Sequence, residues 1–473
     1  MLMEIKMDSR DTICAVATGL GRTGIGIVRV SGKDAIKICD QVFEGRKKIS
    51  EMPTYTAAFG NIVDVSADGK KEIIDETVVL VMKGPHSYTT EDTVEFDCHG
   101  GPFLLGKVVD LLIRSGVRAA EPGEFTKRAY LGGRIDMTEA EAVMDIINAE
   151  NDMALKSSLS QLRGGLKDKI EEIREKIIYN TAFIESALDD PENYSLDGFP
   201  EKLDKEIDEA VSDIDKLLST SEDGRLIKEG ISTAIIGRPN AGKSSVLNML
   251  LGEERAIVTN IEGTTRDTLE EYANLNGVTL RLIDTAGIRN TDDIVEKIGV
   301  DKAKENIESA DLILFIVDGA VPLNDNDREI IKKIRENDKN VITLINKTDL
   351  EAVMDKEELK ALVSFKKDNQ ILEISAKEGT GKEELSNLIR DMFFSGDIDY
   401  NSEIYITSKR HRQALYDAKN SLLKVKESIA LSMSEDFFTT DLMAAYESLG
   451  LIIGVTLEDD LADKIFESFC MGK

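Results

Sequence analysis

Cysteine, positive charge and long apolar runs are what this 473-residue chain is short of. Its four cysteines (Cys14, Cys39, Cys98, Cys470) include no Cys-x-x-Cys pair. That argues against a disulfide framework or a structural zinc site and suits a reducing cytosol. No run approaches the ~18 apolar residues of a membrane span. The polar stretch Met1 to Arg10 holds no signal-peptide core. A cytoplasmic location and no membrane partner are therefore expected. Lys and Arg number 59 against 89 Asp and Glu, a formal charge of −30. Taken globally this speaks against nucleic-acid binding, although binding depends on a local patch. Most carboxylates read as solvated helix surface. What is present is apolar bulk: a 41% share permits sizeable cores. The length suggests about three domains, at roughly 100–200 residues each.

The rest is organised around the stretch from Ile231 to Lys377. An apolar run, Ile231 to Ile236, meets Gly237-Arg-Pro-Asn-Ala-Gly-Lys-Ser244, which fits G-x-x-x-x-G-K-[ST] at every fixed position. A helical pattern, Ser245 to Leu251, follows. Backbone N–H groups of such a loop form an anion site, helped by the helix N-terminus. Asn240, Ala241, Gly242, Lys243, Ser244 and Ser245 are therefore candidates for phosphate binding. Lys243 should reach the β- and γ-phosphates, and the Ser244 hydroxyl should ligate Mg²⁺.

Four more motifs follow in order. Gly263-Thr-Thr-Arg-Asp267 offers Thr264 and Thr265; the latter, through hydroxyl or carbonyl, suits Mg²⁺ and the γ-phosphate. A strand from Thr279 leads into Asp284-Thr285-Ala286-Gly287, whose Asp would hold the metal through water. Leaving of the γ-phosphate would release both loops. Continuous apolar runs, Leu312 to Asp318 and Val341 to Ile345, suit a doubly covered parallel sheet. The second runs into Asn346-Lys347-Thr-Asp349, where a carboxylate can accept two hydrogen bonds from guanine. Ser375-Ala376-Lys377 completes the base site. Together they predict a GTP-binding domain. Ala286 cannot orient a water, so another group must; Asp292, Asp293 and Glu296 are the acidic candidates.

Residues 8–120 read as a mixed α/β unit. Strands are expected at Thr12 to Ala17 and Gly24 to Val30, with a capped helix from Ser31 to Cys39. Two more strand runs lie within Ala57 to Met82, a further strand runs from Thr93 to Gly101, and Leu104 to Ile113 is helical. Thr138-Glu-Ala-Glu141 fits a capping box. Residues 153–189 carry one long helical stripe, most simply core packing, ended by Pro191. A second helix runs from about Pro200 to Leu218, and Ser402 to Lys473 is helical again. The helical parts on both sides of the nucleotide domain should pack together, leaving that domain as an insertion. Ser408-Lys-Arg-His-Arg412, with Lys419, Lys424 and Lys426 beyond, is either a phosphate patch or a solvated helix start.

The ordered motifs, with Val295-Glu-Lys-Ile-Gly299, Gly123-Glu-Phe-Thr-Lys-Arg-Ala-Tyr-Leu-Gly-Gly-Arg-Ile-Asp-Met137 and Cys470-Met-Gly-Lys473, resemble the MnmE (TrmE) tRNA-modification GTPases over essentially the whole chain. Gly132 stands where that family usually has Asn. The resemblance implies an α/β and α multidomain fold. Residues 1–125 would form a tetrahydrofolate-binding and dimerisation domain. Residues 126–229 and 395–473 would form a discontinuous helical domain, and 230–394 an inserted Ras-like P-loop GTPase domain.

It implies K⁺-stimulated hydrolysis, with nucleotide domains dimerising across the site. Asn240 matches the side-chain K⁺ ligand, and Thr259, Ile261 and Thr264 lie in the loop whose oxygens complete the ion site. Glu296 matches the residue that positions water. Arg29, Glu95 and Arg134 match contacts to a tetrahydrofolate derivative, and Lys473 reaches the same pocket. Cys470 gains a role in the modification chemistry, as nucleophile or acid/base. The implied partners are GTP, tRNA and a flavin- and NADH-using MnmG-family protein. The implied product is an aminomethyl or carboxymethylaminomethyl group on C5 of the wobble uridine of certain tRNAs. Two rivals are a regulatory switch such as a ribosome-assembly GTPase, and a one-carbon transferase that merely carries a GTPase module.

Overall fold

The computed structural model describes residues 11–19, 21–66, 68–252, 271–283, 306–337, 339–364, 370–394, 404–455, 462, 464–466, 469–470 and 472. The chain divides into two compact units: Met1–Met144 with Gln161–Asp208 and Asp417–Lys473, and Asp145–Ser160 with Glu209–Tyr416.

The first unit is built on seven strands: β1 (Ile13–Val16), β2 (Gly26–Ser31), β3 (Phe43–Gly45), β4 (Thr56–Val65), β5 (Lys71–Met82), β6 (Thr93–Cys98) and β7 (Arg118–Ala119). They lie in the order β3-β4-β5-β6-β2-β1-β7, and only the β1–β7 pair is parallel. Alternation in these strands sends Val28, Val30, Val79, Val81, Val94 and Phe96 to one face. There they meet Ile38 and Cys39 of α1 (Ala35–Val42) and Leu105, Val108 and Leu112 of α2 (Pro102–Arg114). The helix expected from Ser31 starts later, at Ala35. Ser31 is the last residue of β2, paired with Thr93, and its hydroxyl bonds to Thr89 Oγ1 and Glu91 Oε2. Sheet pairing uses the residue that local pattern gave to a cap.

Helices α3 (Glu124–Leu131), α4 (Met137–Ile147), α5 (Asp152–Leu162), α6 (Gly165–Asp189) and α7 (Phe199–Ser219) follow. The capping box of α4 lies two residues earlier than Thr138 suggests. Asp136 Oδ1 accepts the Glu139 N–H at 2.9 Å, and Glu139 Oε2 accepts the Asp136 N–H at 2.8 Å. The stripe over 153–189 is broken between α5 and α6, where Gly164 takes φ +87°. Pro191 stands just past α6, as expected.

After the nucleotide motifs come α13 (Lys409–Ala430) and α14 (Asp436–Ile453); the five helices between α7 and α13 are described below. Helix α14 packs on α6: the Arg174 guanidinium stacks 4.0 Å from the Tyr446 ring centroid, and its Nε donates to the Tyr446 carbonyl. Chain segments from both sides of the nucleotide motifs thus share one core.

In the second unit, α8 (Ser221–Glu229), which the sequence pattern missed, precedes the nucleotide motifs. The unit also holds β8 (Ile231–Ile236), α9 (Lys243–Leu251), β9 (Glu271–Leu275), β10 (Val278–Leu282), β11 (Leu312–Asp318), α10 (Asp325–Arg335), β12 (Asn340–Asn346), α11 (Lys356–Val363), β13 (Gln370–Glu373) and α12 (Lys382–Phe393). The sheet order is β13-β12-β11-β8-β10-β9, parallel except for β9–β10. Strands β8 and β11 are buried along their whole length because helices cover both faces. Val246, Leu250, Leu385 and Ile389 fill one side, and Ile331, Ile334, Leu359 and Val363 the other. Among the described residues, no helix is long and apolar enough to cross a membrane.

Candidate functional site

Strand β8 lies between β11 and β10, where the strand order reverses, and the glycine-rich loop leaves its carboxyl end. Crevices at that place are where open α/β sheets bind ligands. The loop passes so close to its neighbours that two glycines are obligatory. A Cβ on Gly237 would stand 2.5 Å from the Ile316 carbonyl oxygen, and one on Gly242 2.1 Å from Asn346 Nδ2. Gly242, at φ +99°, is the N-cap of α9.

Lys243 folds its ammonium back onto the loop, donating to the carbonyls of Gly237 and Arg238, each at 2.8 Å. Burial pushes its pKa below the ordinary lysine value. Among the described residues this ammonium is held only by carbonyl dipoles in a half-buried cradle, which leaves it poised for an anion. Asn346, at the end of β12, ties the loop to the sheet. Its Nδ2 donates to the Ala241 carbonyl at 3.0 Å, and its Oδ1 accepts the Ala376 N–H at 3.0 Å. Lys347 reaches the Asn240 carbonyl at 2.9 Å and the Asp318 carboxylate at 2.7 Å. Asp349 accepts the Ser375 hydroxyl at 2.7 Å, and that bond holds its carboxyl below the usual range. The motifs at 237–244, 346–349 and 375–376 are therefore one bonded network. Ser245 and Lys377 lie at its margin.

The sequence reading missed a brace beneath this network. Arg238, the second residue of the loop, turns inward: its Nη1 bonds to Asp327 Oδ2 at 3.0 Å and to the Pro322 carbonyl. Asp327 is fully buried and closes the α10 capping box with Asn324. The available signal was Asn324-Asp-Asn-Asp327, a cap pattern. Thr259, Ile261, Thr264, Thr265, Asp284, Thr285, Ala286, Gly287, Asp292, Asp293, Glu296 and Lys473 lie outside the described residues.

A second polar cluster forms in the first unit. Arg29 on β2 and Glu95 on β6 are cross-strand partners, bonded at 2.6 Å and largely shielded. The guanidinium carbons of Arg29 and Arg134 stand 5.6 and 4.9 Å from the Tyr88 ring centroid. Arg134 also donates to the Tyr88 carbonyl, and Arg29 to the Gly472 carbonyl at 3.2 Å. Gly472 runs against β1; a Cβ there would stand 2.3 Å from the Val16 carbonyl oxygen. The Cys470 carbonyl accepts the Gly123 N–H, and Cys470 packs at the edge of Phe466 and Phe469. Arg29, Glu95 and Arg134 are thus gathered around Tyr88, a residue the sequence reading did not single out. Its place in His86-Ser-Tyr-Thr-Thr-Glu91, a polar loop between strands, was the only hint.

The basic run Ser408 to Arg412 is not a solvated face throughout. His411 is fully buried, with Nε2 2.9 Å from Arg410 Nη2. Lys426 is paired with Asp204 and Asp208.

Known proteins agree along the whole chain. A model of the TrmE N-terminus, a GTP-binding protein, matches residues 12–134, and one of the MnmE helical domain matches 137–470. A "tRNA modification GTPase MnmE" from Lachnoclostridium phytofermentans is 51% identical over 466 residues, 98% of this chain and 99% of the relative. Proteins of the same name from Clostridioides difficile and Thermoanaerobacter pseudethanolicus are 45% and 46% identical, each over 465 residues, with the same coverage.

Proposed function

This chain belongs to the MnmE (TrmE) family of tRNA modification GTPases, and from that premise we propose that it hydrolyses GTP in the service of tRNA modification. The observation that carries the reading is the bonded network of Asn346, Ala241 and Ala376. It fixes a phosphate loop and a base-recognition loop against each other. GTP would place its phosphates on the loop N–H groups of residues 240–245, drawing Lys243 off the Gly237 and Arg238 carbonyls. Guanine would take over Asp349 from Ser375.

Mg²⁺ and K⁺ fit this site by donor chemistry. Ser244 and Asn240 supply hard oxygen donors beside a loop with no room for a Cβ at Gly242. When bound, such cations draw negative charge off the phosphate oxygens. Ser244 and Thr265 are assigned to Mg²⁺; Asn240, Thr259, Ile261 and Thr264 to K⁺. Thr264, Asp284, Thr285, Ala286 and Gly287 complete the phosphate site, Lys347, Ser375, Ala376 and Lys377 the base site, and Glu296 orients water.

Residues 1–125 would bind a tetrahydrofolate derivative and dimerise. Residues 126–229 and 395–473 would form the helical domain, and 230–394 the inserted nucleotide domain. The Arg29, Glu95 and Arg134 cluster suits a ligand with an aromatic ring and carboxylates: Tyr88 offers a stacking face and the arginines offer charge. Lys473 would join it, and Cys470 would act on the uracil. GTP- and K⁺-driven pairing of nucleotide domains, a flavin- and NADH-dependent MnmG-family partner, C5 of the wobble uridine and a cytoplasmic location complete the reading.

Two experiments test it. Purified protein should hydrolyse GTP faster in K⁺ than in Na⁺; equal rates would remove K⁺ from the scheme. Mass spectrometry of wobble nucleosides from a deletion strain should show loss of the C5 group. Cys470→Ser should then fail to restore it while retaining GTP hydrolysis.

A further inference from the structure

A basin of about 560 Å³ opens on the first unit beside α1, away from the Arg29 cluster's own contacts. Lys33 lines it from the turn before α1, Lys37 from the first turn of α1, and Lys48 from the segment that follows β3. Its two carboxylates are already engaged. Asp40 accepts the N–H groups of Ile49 and Ser50, and Asp92 accepts that of Gly84. Lys83 adds a cation at the rim, its ammonium seated on the Ser50 carbonyl at 3.2 Å and not on a carboxylate. Arg46 and Lys47, both exposed, precede Lys48 in the chain. Among the described residues, none of Lys33, Lys37, Arg46, Lys47 and Lys48 forms an ion pair. Three cations line the basin, Lys83 sits on a lining residue and two more adjoin Lys48 in the chain, all on a chain whose formal charge is −30.

Many cations elsewhere in the described residues are matched, as at Lys426. Unmatched cations repel one another, and the arrangement lowers its energy by taking up a polyanion and releasing its counterions. We propose that this basin binds the phosphodiester backbone of RNA, holding the tRNA through Lys33, Lys37 and Lys48 with Arg46, Lys47 and Lys83 around the rim. The proposal rests on the tRNA reading above. It adds where on this chain the phosphates lie.

The test uses the full chain and an unmodified tRNA transcript, with affinity followed by fluorescence anisotropy as NaCl rises from ~50 to ~200 mM. Replacing the three lining lysines together, Lys33→Glu, Lys37→Glu and Lys48→Glu, should weaken binding at least about tenfold at the lowest salt. The slope of log affinity against log salt should become shallower by about 2, three phosphate contacts being lost. GTP hydrolysis should be unchanged, since none of the three belongs to the nucleotide site. The corresponding Gln variants serve if charge reversal impairs folding. A wild-type chain that binds tRNA alongside variants with the same affinity and slope would overturn the basin and leave the tRNA reading standing. A wild-type chain that binds no tRNA would overturn both. If the variants lose affinity only for a polyglutamylated folate, the basin holds a carboxylate chain and the RNA assignment fails.

Discussion

Lys347 donates to the carbonyl oxygen of Asn240 at 2.9 Å, and both residues hold left-handed backbone, at φ +67° and +61°. Left-handed geometry costs a non-glycine residue roughly 1–2 kcal/mol. Two such residues braced against each other mark where the fold keeps strain to hold a shape. One lies in the phosphate loop and the other in the base-recognition loop, so each loop steadies the other.

Lys347→Met would remove that brace and leave Asp318, which is buried, without its cation. A hydrogen bond to a charged group is worth about 1.5–3 kcal/mol. Affinity for a fluorescent GDP should therefore fall between about tenfold and a hundredfold. Unchanged affinity would show that the brace is incidental.

Asn240→Gly separates the side chain from the backbone. Glycine accepts the left-handed angle without penalty, so the loop keeps its path and GDP affinity should stay near the wild-type value. If the Asn240 side chain is the K⁺ ligand, the ratio of hydrolysis rates in K⁺ and Na⁺ should fall to about 1, the loss being in transition-state charge stabilisation. A ratio that survives the substitution would assign the ion elsewhere.

Arg238→Met would strand a buried carboxylate. Removing one member of a buried ion pair costs about 3–5 kcal/mol, read here as a lower urea midpoint. Burial already raises the Asp327 pKa, with the Asn324 N–H and Arg238 opposing it. A carboxyl whose folded pKa is raised gains relative stability from protonation. The deficit of the variant should therefore shrink on going from about pH 7.5 to about pH 5. A deficit independent of pH would mean that Asp327 finds another partner.

His99 offers a cleaner titration, since the chain has only three histidines. Its Nδ1 lies 2.7 Å from Asp75 Oδ1, and that hydrogen bond raises its pKa above the ordinary 6.5. Stability from this pair is fully present below that value and is lost as pH rises through the folded pKa. The NMR midpoint of His99 should lie above 6.5 in the wild type and drop in Asp75→Asn. The destabilisation by Asp75→Asn should be larger at acid than at alkaline pH.

Elements were legible where one physical signal dominated. The run Ile231 to Ile236 is β8 to the residue, because burial on both faces leaves no polar position to blur it. Ser31 and Thr138 were misplaced because a hydroxyl suits a cap locally, whereas strand pairing claimed Ser31 and a nearby carboxylate, Asp136, outcompeted Thr138. Gly164 was masked by a stripe whose three-and-four spacing continues across the break. In the site, Lys243 and Asn346 stand in fixed motifs. Asp327 and Tyr88 are separated from their partners by 89 and 46 residues, and only folding brings them together.

The contact between Arg29 and Gly472 spans 443 residues of chain. Strands β1 and β2 are made long before it, and Arg29 gains this carbonyl partner only once residue 472 has been added. A chain cut between Tyr416 and Gly472 would still carry the whole second unit. Its nucleotide motifs would be whole while Arg29 lacked the Gly472 carbonyl.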